Sequence, residues 1–171
     1  MPSNPQIRTC LWFDGQAEEA AHFYVEVFKN SKISRLTRYS EVGFETHHRP
    51  PGSLMTVDFE LDGARFTGLN GGPDFKFSEA VSFEIFCDTQ EEIDYYWDKL
   101  IAGGGQPSVC GWLKDKYGVS WQVVPRKLMD MLADEKSEKS KRAMAAMLQM
   151  KKLDIAQLER AYNGQPVTAG R

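Results

Sequence analysis

The chain has 171 residues, of which 42% are hydrophobic and 26% charged, enough for one globular domain with a substantial core. Its 21 basic and 24 acidic residues give a net charge of −3, which argues against nucleic acid or an anionic membrane surface as a partner. The mean hydropathy is −0.47, and no apolar run is long enough to predict a membrane-spanning helix. The opening residues MPSNPQIR lack the pattern of a secretory signal, and the three cysteines are scattered, so we expect a cytoplasmic protein with reduced, buried cysteines.

The first half of the chain reads as a strand, a helix and three further strands. Its last two strands alternate apolar and polar residues around Asp62-Gly63, a dipeptide typical of a two-residue hairpin turn. That turn predicts the pairs Leu61–Ala64, Glu60–Arg65, Phe59–Phe66 and Asp58–Thr67. The predicted elements are strand 7–13, helix 17–28, strand 32–39, loop 40–52 and hairpin 53–70.

The second half predicts the same order of elements, followed by a helical tail. Thr89 and Glu92 form a capping box that opens the second helix, and Gly103-Gly104-Gly105 ends it. The apolar stripe of the tail predicts packing onto the sheets or onto a second subunit, with a ligand lid as the alternative. The predicted elements are strand 80–87, helix 89–100, strands 109–114 and 119–124, and tail helices 126–133, 137–150 and 155–162.

Two pairs of segments suggest that the chain is an internal duplication. FDGQAEEAAHFY at 13–24 aligns without gaps with FCDTQEEIDYYW at 86–97, and GARFT at 63–67 aligns with GVSWQ at 118–122. Chance similarity between two amphipathic helices is the alternative, but the matching order of elements favours duplication. We therefore predict an α+β fold of two βαβββ units, 7–70 and 80–125, whose curved sheets surround a cavity, with a helical C-terminal extension at 126–162, all in one globular domain.

A duplicated unit of this order resembles the vicinal-oxygen-chelate superfamily, which includes glyoxalase I, extradiol dioxygenases, and fosfomycin- and bleomycin-resistance proteins. Several strings are similar to the PhnB-like family, often labelled 3-demethylubiquinone 3-methyltransferase. They are TCLWFDGQAEEAAHFY (9–24), GSLMTVDFELDG (52–63), LNGGP (69–73), GWLKDKYGVSWQVVP (111–125) and MLQMKKLD (147–154). The resemblance implies the fold; it constrains the activity less, because the superfamily hosts many chemistries.

In the resembled superfamily, four inward side chains from the first and last strands of both halves hold a divalent metal. The equivalent positions here are Ile7, Thr67, Ala80 and Gln122, or Thr9 and Ser82 if the first strands shift by two residues. None is a histidine or a carboxylate, and one amide oxygen does not hold a catalytic metal against water. His22 is expected on a helix surface and His47-His48 in a loop. We predict neither a bound metal nor another cofactor.

Strand alternation places a set of mainly polar residues on the helix-free faces of the sheets. The set is Thr9, Leu11, Asp58, Glu60, Arg65, Thr67, Leu69, Ser82, Glu84, Ser120 and Gln122. A solvated sheet face or dimer surface explains such a set, and so does a ligand pocket with a polar floor. In the second interpretation Arg65, held by Glu60 or Asp58, pairs an anion, Gln122 is an orienting amide, and Glu84 is the tentative general base. The predicted ligand-binding residues are Arg65, Thr67, Asp58, Gln122 and Ser120. Trp12 and Trp121 are expected to point toward the helices.

The leading functional hypothesis is a metal-free small-molecule-binding protein, expected as a homodimer. Proton transfer or isomerisation is the reaction expected if the ligand is turned over. The alternatives are a sequestering protein of the resistance type, a metal-dependent lyase or dioxygenase, and a methyltransferase acting on a quinone-like substrate. The last lacks support from the residues, because no glycine-rich strand-to-helix turn of the kind that binds adenosyl cofactors occurs.

Overall fold

Each half of the chain builds one four-stranded sheet in the computed structural model, which describes residues 7–166. The elements of the first half are β1 (Thr9–Phe13), α1 (Ala17–Val27), β2 (Lys32–Arg38), α2 (Phe44–His47), β3 (Leu54–Leu61) and β4 (Ala64–Asn70). Those of the second half are β5 (Phe83–Cys87), α3 (Gln90–Ile101), β6 (Gln106–Pro107), β7 (Trp112–Lys114) and β8 (Ser120–Pro125). The tail forms α4 (Arg126–Leu132), α5 (Glu138–Met147) and α6 (Ile155–Tyr162).

The two sheets have the same topology. Their strand orders are β1-β4-β3-β2 and β5-β8-β7-β6. In both, the first strand pairs in parallel with the last, and the other pairings are antiparallel. The predicted α+β fold with a duplicated βαβββ unit and a helical extension is therefore confirmed. The chain divides into two compact units, the first ending at Phe77 and the second beginning at Ser78.

Most predicted elements are present. The strands predicted from 7 and from 109 start at Thr9 and Trp112, and three further differences occur. The hairpin register is confirmed at every predicted pair, from Leu61–Ala64 to Asp58–Thr67. The loop predicted at 40–52 contains the one-turn helix α2, and the two-residue strand β6 was missed because an element that short carries no periodicity. The strand predicted from 80 starts at Phe83. In the described part of the chain, no helix combines the length and apolar character needed to cross a membrane.

The core of the first unit lies between α1 and one face of its sheet. Small residues of α1, such as Ala17 and Ala20, are fully buried, which lets the helix approach the strands closely. Tyr24 stacks on Phe59 at 6.0 Å between ring centroids, and Phe59 stacks on its cross-strand partner Phe66 at 5.2 Å. Stacked aromatic pairs of this kind stabilise the fold beyond the area that they bury.

Two side chains lie over the glycines that follow β4 and leave no room for a Cβ atom at either position. A Cβ at Gly71 would stand 2.2 Å from the ring of Trp12, and a Cβ at Gly72 would stand 2.1 Å from Arg49 Nη2. Trp12 Nε1 also donates a hydrogen bond to Gly72 O at 2.8 Å, and its ring meets Phe75 edge-on. The predicted orientation of Trp12 toward the helices is therefore wrong. Its indole packs instead against the segment that follows β4.

The second unit has two cores. One lies under α3, where Ile93, Trp97 and Leu100 are buried, as are Leu113 and Trp121 of the sheet. The predicted capping box of α3 is present, since Thr89 accepts from Glu92 N and Glu92 reaches back to Thr89 N. The other core joins β8 to the tail helices, so the tail packs within its own unit. Its buried members are Val124, Leu128, Met131, Ala143, Leu153 and Leu158.

Candidate functional site

The face of each sheet that lies opposite α1 or α3 is here named the polar face. In the first sheet the other face is fixed by Gly68, whose added Cβ would lie 3.2 Å from Ala17 Cβ, and by Asn70, whose Oδ1 accepts from Ala17 N. Alternation along β4 and β3 then puts Thr67, Asp58, Glu60 and Arg65 on the polar face, as predicted.

The prediction that Thr9 and Leu11 share this face is wrong. Leu11 is buried and pairs with Gly68, whereas Cys10 pairs with Thr67. The gap-free alignment of the two halves caused the error: Asp14–Gln16 separate β1 from α1, whereas only Asp88-Thr89 separate β5 from α3. With that extra residue allowed for, Arg8, Cys10 and Trp12 belong to the polar face.

Asp58 is the centre of a closed polar cluster in the first unit. Arg8 Nη1 lies 2.8 Å from Asp58 Oδ2, and Thr67 Oγ1 donates to Asp58 Oδ1 at 2.7 Å. Burial raises the pKa of Asp58, but the hydrogen bonds from Thr67 and Arg8 outweigh it and hold that pKa below the usual value. The carboxylate is therefore charged at neutral pH and already has its partners.

Arg65 lies one row away from this cluster. It is exposed and stands directly opposite Glu60, which in turn stands opposite Lys32. Of the two acidic residues predicted to hold Arg65, the structure brings Glu60 beside it, while the ion-pair partner of Asp58 is Arg8. Arg8 was missed because alternation was counted from the wrong residue of β1.

In the first unit Arg8 Nη1 also donates to Thr67 Oγ1 at 3.3 Å, and in the second unit Gln122 and Ser82 form the counterpart of this contact. Gln122 Nε2 donates to Ser82 Oγ at 2.8 Å. Glu84 stands opposite Gln122 on the same polar face, as the alternation predicts, but its side chain is exposed.

A cavity of about 160 Å³ opens on the second sheet beside this pair. Its volume is close to the roughly 150 Å³ in which a buried apolar cavity holds one benzene ring. Ser120 is the one predicted site residue that lines it. The lining residues are Glu79, Gln106, Pro107, Ser108, Trp112, Leu113, Lys114 and Ser120.

Register explains how three polar side chains come to the cavity together. Gln106 stands opposite Lys114, and Lys114 stands opposite Ser120, so an amide, an ammonium and a hydroxyl form one row across β6, β7 and β8. Directly opposed residues on neighbouring strands have Cβ atoms about 5 Å apart. We name these three residues the donor row, since each carries a hydrogen-bond donor.

The donor row is held in place by the buried carboxylate of Asp115. Asp115 Oδ1 accepts from the backbone N–H groups of Tyr117 and Val119 at 2.9 and 3.0 Å, and Oδ2 accepts from Trp121 Nε1 at 2.9 Å. These bonds shape the turn between β7 and β8 and anchor Trp121 toward the α3 side, as predicted. The WLKDKYGVSWQ string thus encodes a hairpin that fixes Lys114 and Ser120 next to each other.

Ser120 contributes a buried polar atom without a partner to the lining of the cavity, as judged over residues 7–166. The residue is only 2% exposed, and its Oγ has no hydrogen-bond partner within residues 7–166. Leaving a buried hydroxyl unpaired costs about 1–3 kcal/mol, so such a group in a cavity lining marks a place for a bound polar atom.

Lys114 and Glu79 form an ion pair at the edge of the cavity. The ammonium of Lys114 contacts the Glu79 carboxylate, and the two side chains are 34% and 60% exposed. The hydrogen bond from Lys114, followed by one from its own backbone, lowers the pKa of Glu79 below the usual value. Neither residue was predicted, because Glu79 lies in a connector and Lys114 was read only as part of a strand.

Each unit has one pair of side chains at the positions where the resembled superfamily binds its metal, here named the corner pair. Neither corner pair fits a divalent metal. In the first unit the corner pair is Arg8 and Thr67, and a guanidinium repels a cation. In the second it is Ser82 and Gln122, whose polar atoms bond to each other. Among residues 7–166, no three His, Cys, Asp or Glu side chains are grouped so as to hold a metal ion.

The histidines and cysteines do not add a second site. His47 accepts from Arg49 N through Nδ1, and its Nε2 lies 3.2 Å from Val42 O, so the loop itself uses both ring nitrogens. Burial raises the pKa of the Cys87 thiol to about 12, with the nearby carboxylates adding to the effect. Cys10 is exposed, which corrects the expectation that all cysteines are buried. The pKa of its thiol is also raised, first by partial desolvation of the sulfur and then by the negative charge of Asp58.

Comparison with known proteins agrees with the topology. The family model described as 3-demethylubiquinone-9 3-methyltransferase matches residues 5–124. A PhnB protein from Bacillus cereus, which carries that enzyme name provisionally, is 36% identical; the match covers 71% of this chain and 99% of that one, with a TM-score of 0.61. The chain belongs to this family. Comparison with curated proteins finds none significantly similar.

Two more distant structures share the fold of this family. Protein PA1353 from Pseudomonas aeruginosa is 18% identical, over 70% of this chain and 96% of that one, with a TM-score of 0.54. The fosfomycin resistance protein FosX from Mesorhizobium loti is 11% identical, over 78% of this chain and 100% of that one, with a TM-score of 0.52. The vicinal-oxygen-chelate fold expected from the sequence is thereby confirmed.

Proposed function

We propose that this chain is a metal-free small-molecule-binding protein whose ligand occupies the cavity of the second unit. The observation that carries the proposal is the buried, unpaired hydroxyl of Ser120 in the lining of that cavity. Small-molecule sites combine apolar walls with a few convergent polar groups. Here Trp112 and Leu113 supply apolar surface, and the donor row supplies the polar groups.

The metal-free part of the proposal rests on the two corner pairs. A metal-dependent lyase or dioxygenase needs carboxylate or imidazole ligands, whereas Arg8, Thr67, Ser82 and Gln122 offer a cation, hydroxyls and an amide. Asp58 is held by Arg8 and Thr67. A calorimetric titration with Zn²⁺, Ni²⁺ or Mn²⁺ is expected to show no stoichiometric binding. One tight site per chain would refute the proposal that the protein is metal-free.

The family name also suggests a methyltransferase, and the cavity argues against it. Its volume of about 160 Å³ is well below the roughly 300–1,000 Å³ that pockets for drug-sized ligands have. An adenosyl cofactor is too large for such a cavity. Calorimetry with adenosylmethionine is therefore expected to give no heat of binding, while a saturable signal would favour the methyltransferase.

Binding, rather than turnover, is the function that the cavity supports. The role of Glu84 as a general base remains a prediction. Its side chain is exposed and does not line the cavity, so the cavity gives no support to this role. Thr67, Asp58 and Arg65 lie on the first sheet and stay predictions as ligand contacts, and Gln122 is turned toward Ser82.

We also propose that the protein forms a homodimer and that it is cytoplasmic. Large apolar side chains of the second unit are exposed, among them Val81, Val109 and Met129 at 68%, 55% and 54%. A second copy that covered these side chains would remove their apolar surface from water, which favours association. Size-exclusion chromatography with light scattering is expected to give twice the chain mass, and a mass of one chain at micromolar concentration would contradict it.

A fragment screen tests the cavity directly. Small polar and aromatic molecules that bind are expected to shift the melting temperature of the wild-type protein and to perturb the indole signal of Trp112 in NMR spectra. Ser120→Val fills part of the cavity and removes the hydroxyl, so these shifts should disappear. Ser34→Ala on the first sheet is the control and should leave them unchanged. Fragment shifts that persist in Ser120→Val would place the ligand elsewhere.

A further inference from the structure

The cavity of the second unit has the charge pattern of a site for one small anion. Of its lining residues, Lys114 is the cation and Glu79 is the anion, and they are paired with each other. The other polar groups of the donor row are the amide of Gln106 and the hydroxyl of Ser120, and both are able to donate to an oxygen of a ligand.

We propose that the cavity binds a small monocarboxylate, and that the Glu79 carboxylate occupies the ammonium of Lys114 until the ligand displaces it. This inference rests on the proposed binding function and names the ligand class for it. A carboxylate above the donor row accepts from Lys114 and from Ser120 at once, because the two residues stand opposite each other on neighbouring strands. The unpaired hydroxyl of Ser120 then gains the partner that the chain does not supply.

The single cation sets the charge of the ligand. A dianion such as a phosphate monoester needs more than one positive group to offset its desolvation, and Lys114 is alone among the lining residues in carrying positive charge. A monocarboxylate exchanges one negative charge for another: Glu79 leaves and the ligand enters. Glu79 is 60% exposed, so turning its carboxylate to solvent costs little.

The walls of the cavity determine the size and the apolar character of the group attached to the carboxylate. Trp112 stands two residues before Lys114 on β7, so both side chains lie on the polar face and both line the cavity. The indole offers a face for an apolar or aromatic group attached to the carboxylate. About 160 Å³ accommodates one ring, which makes a benzoate-sized molecule the largest that the cavity encloses.

Three matched probes test the charge preference on the full chain. Benzoate, benzamide and benzylamine share a ring and differ in carrying a negative, a neutral and a positive group. Dissociation constants are measured from the NMR shift of the Trp112 indole, which is assigned with Trp112→Phe. Benzoate is expected to bind at least about tenfold more tightly than benzamide, because a charged hydrogen bond is roughly twice as strong as a neutral one. Benzylamine should not bind.

Variants of the ion pair test the displacement of Glu79. Lys114→Met should weaken benzoate binding about tenfold or more and leave benzamide binding unchanged. Glu79→Gln should tighten benzoate binding several-fold, because the internal competitor is gone. Lys116→Met is the matched control: this lysine lies in the following turn, over the ring of Tyr117, and should change neither affinity. Lys114→Arg keeps the charge and should retain benzoate binding, which guards against a folding defect in Lys114→Met.

The outcomes separate this inference from the proposed function. Equal affinity for benzoate and benzamide, both lost in Ser120→Val, would refute the anion preference and keep the cavity as a binding site. Weaker benzoate binding in Glu79→Gln would refute the displacement of Glu79. Absence of any Trp112 shift with all three probes would refute both the inference and the proposed site.

Discussion

Ser120→Ala tests whether this buried hydroxyl is unsatisfied in the ligand-free protein. Ser120 and Ser140 are both buried serines of the second unit, at 2% and 5% exposure. Ser140 lies in α5 and Ser120 in β8, and their hydrogen bonding differs: Ser140 Oγ donates to Met131 O at 2.6 Å, whereas Ser120 Oγ has no partner among residues 7–166. The same substitution at the two sites therefore removes a satisfied hydroxyl in one case and an unsatisfied hydroxyl in the other.

The two variants are expected to change stability in opposite directions. Ser140→Ala loses a buried hydrogen bond and should lower the free energy of unfolding by about 1 kcal/mol. Ser120→Ala loses only a hydroxyl whose burial costs about 1–3 kcal/mol, so it should raise the free energy of unfolding by about 1 kcal/mol. For a chain of this size, about 1 kcal/mol moves the melting temperature by roughly 2–4 °C.

Urea denaturation of the ligand-free proteins measures both changes. Equal slopes for wild type and variants would show that the midpoints can be compared directly. The reasoning fails if Ser120→Ala is destabilised as much as Ser140→Ala, because the Ser120 hydroxyl would then be bonded in the folded protein and would not mark a place for a ligand.

Three further changes test other parts of the structure. Asp115→Ala removes the hydrogen bonds from Tyr117 N, Val119 N and Trp121 Nε1, so urea denaturation should show a loss of about 3 kcal/mol in the free energy of unfolding. A loss under about 1 kcal/mol would contradict the role of Asp115 in the turn. Gly71→Ala forces a methyl group against Trp12 and should lower the free energy of unfolding by about 1–3 kcal/mol; an unchanged midpoint would contradict this contact. The pKa of Asp58 is lower in the folded protein than in the unfolded chain, so its charge stabilises the fold above pH 3.8, and this stabilisation should be lost as the pH falls through the lowered pKa. If Asp58→Asn loses as much free energy of unfolding as the wild type over the same pH range, this role of Asp58 is refuted.

The fold was predictable because its signals are local and repeated. Asp62-Gly63 sets the hairpin turn, and strict alternation on both sides sets every pair from Leu61–Ala64 to Asp58–Thr67. The capping box at Thr89 fixed the start of α3 in the same way. Such features depend on neighbours within a few residues, so the sequence alone determines them.

The site was less predictable because it depends on counts and contacts that the sequence does not display. One extra residue between β1 and α1 turned Arg8, Cys10 and Trp12 to the polar face and Leu11 to the core. Ser120 was predicted on its face, but neither its depth nor its lack of a partner follows from alternation. Likewise, Glu79 meets Lys114 through a connector whose path has no periodic signal.

The two copies of the unit carry different side chains in the polar row that crosses corresponding strands of each sheet. The row Gln106–Lys114–Ser120 of the second sheet corresponds by strand pairing to Lys32–Glu60–Arg65 of the first. In the first sheet the row alternates in charge and ends in an exposed arginine, so it can neutralise itself in solvent. In the second sheet the same positions hold three donors and end in a buried serine. Such a row needs an acceptor from outside the strands: Glu79 supplies one to Lys114, and Ser120 still lacks one. The two halves therefore share their backbone pairing, whereas the corresponding polar rows differ: the first carries compensating charges, and the second contains a buried hydroxyl without a partner among residues 7–166.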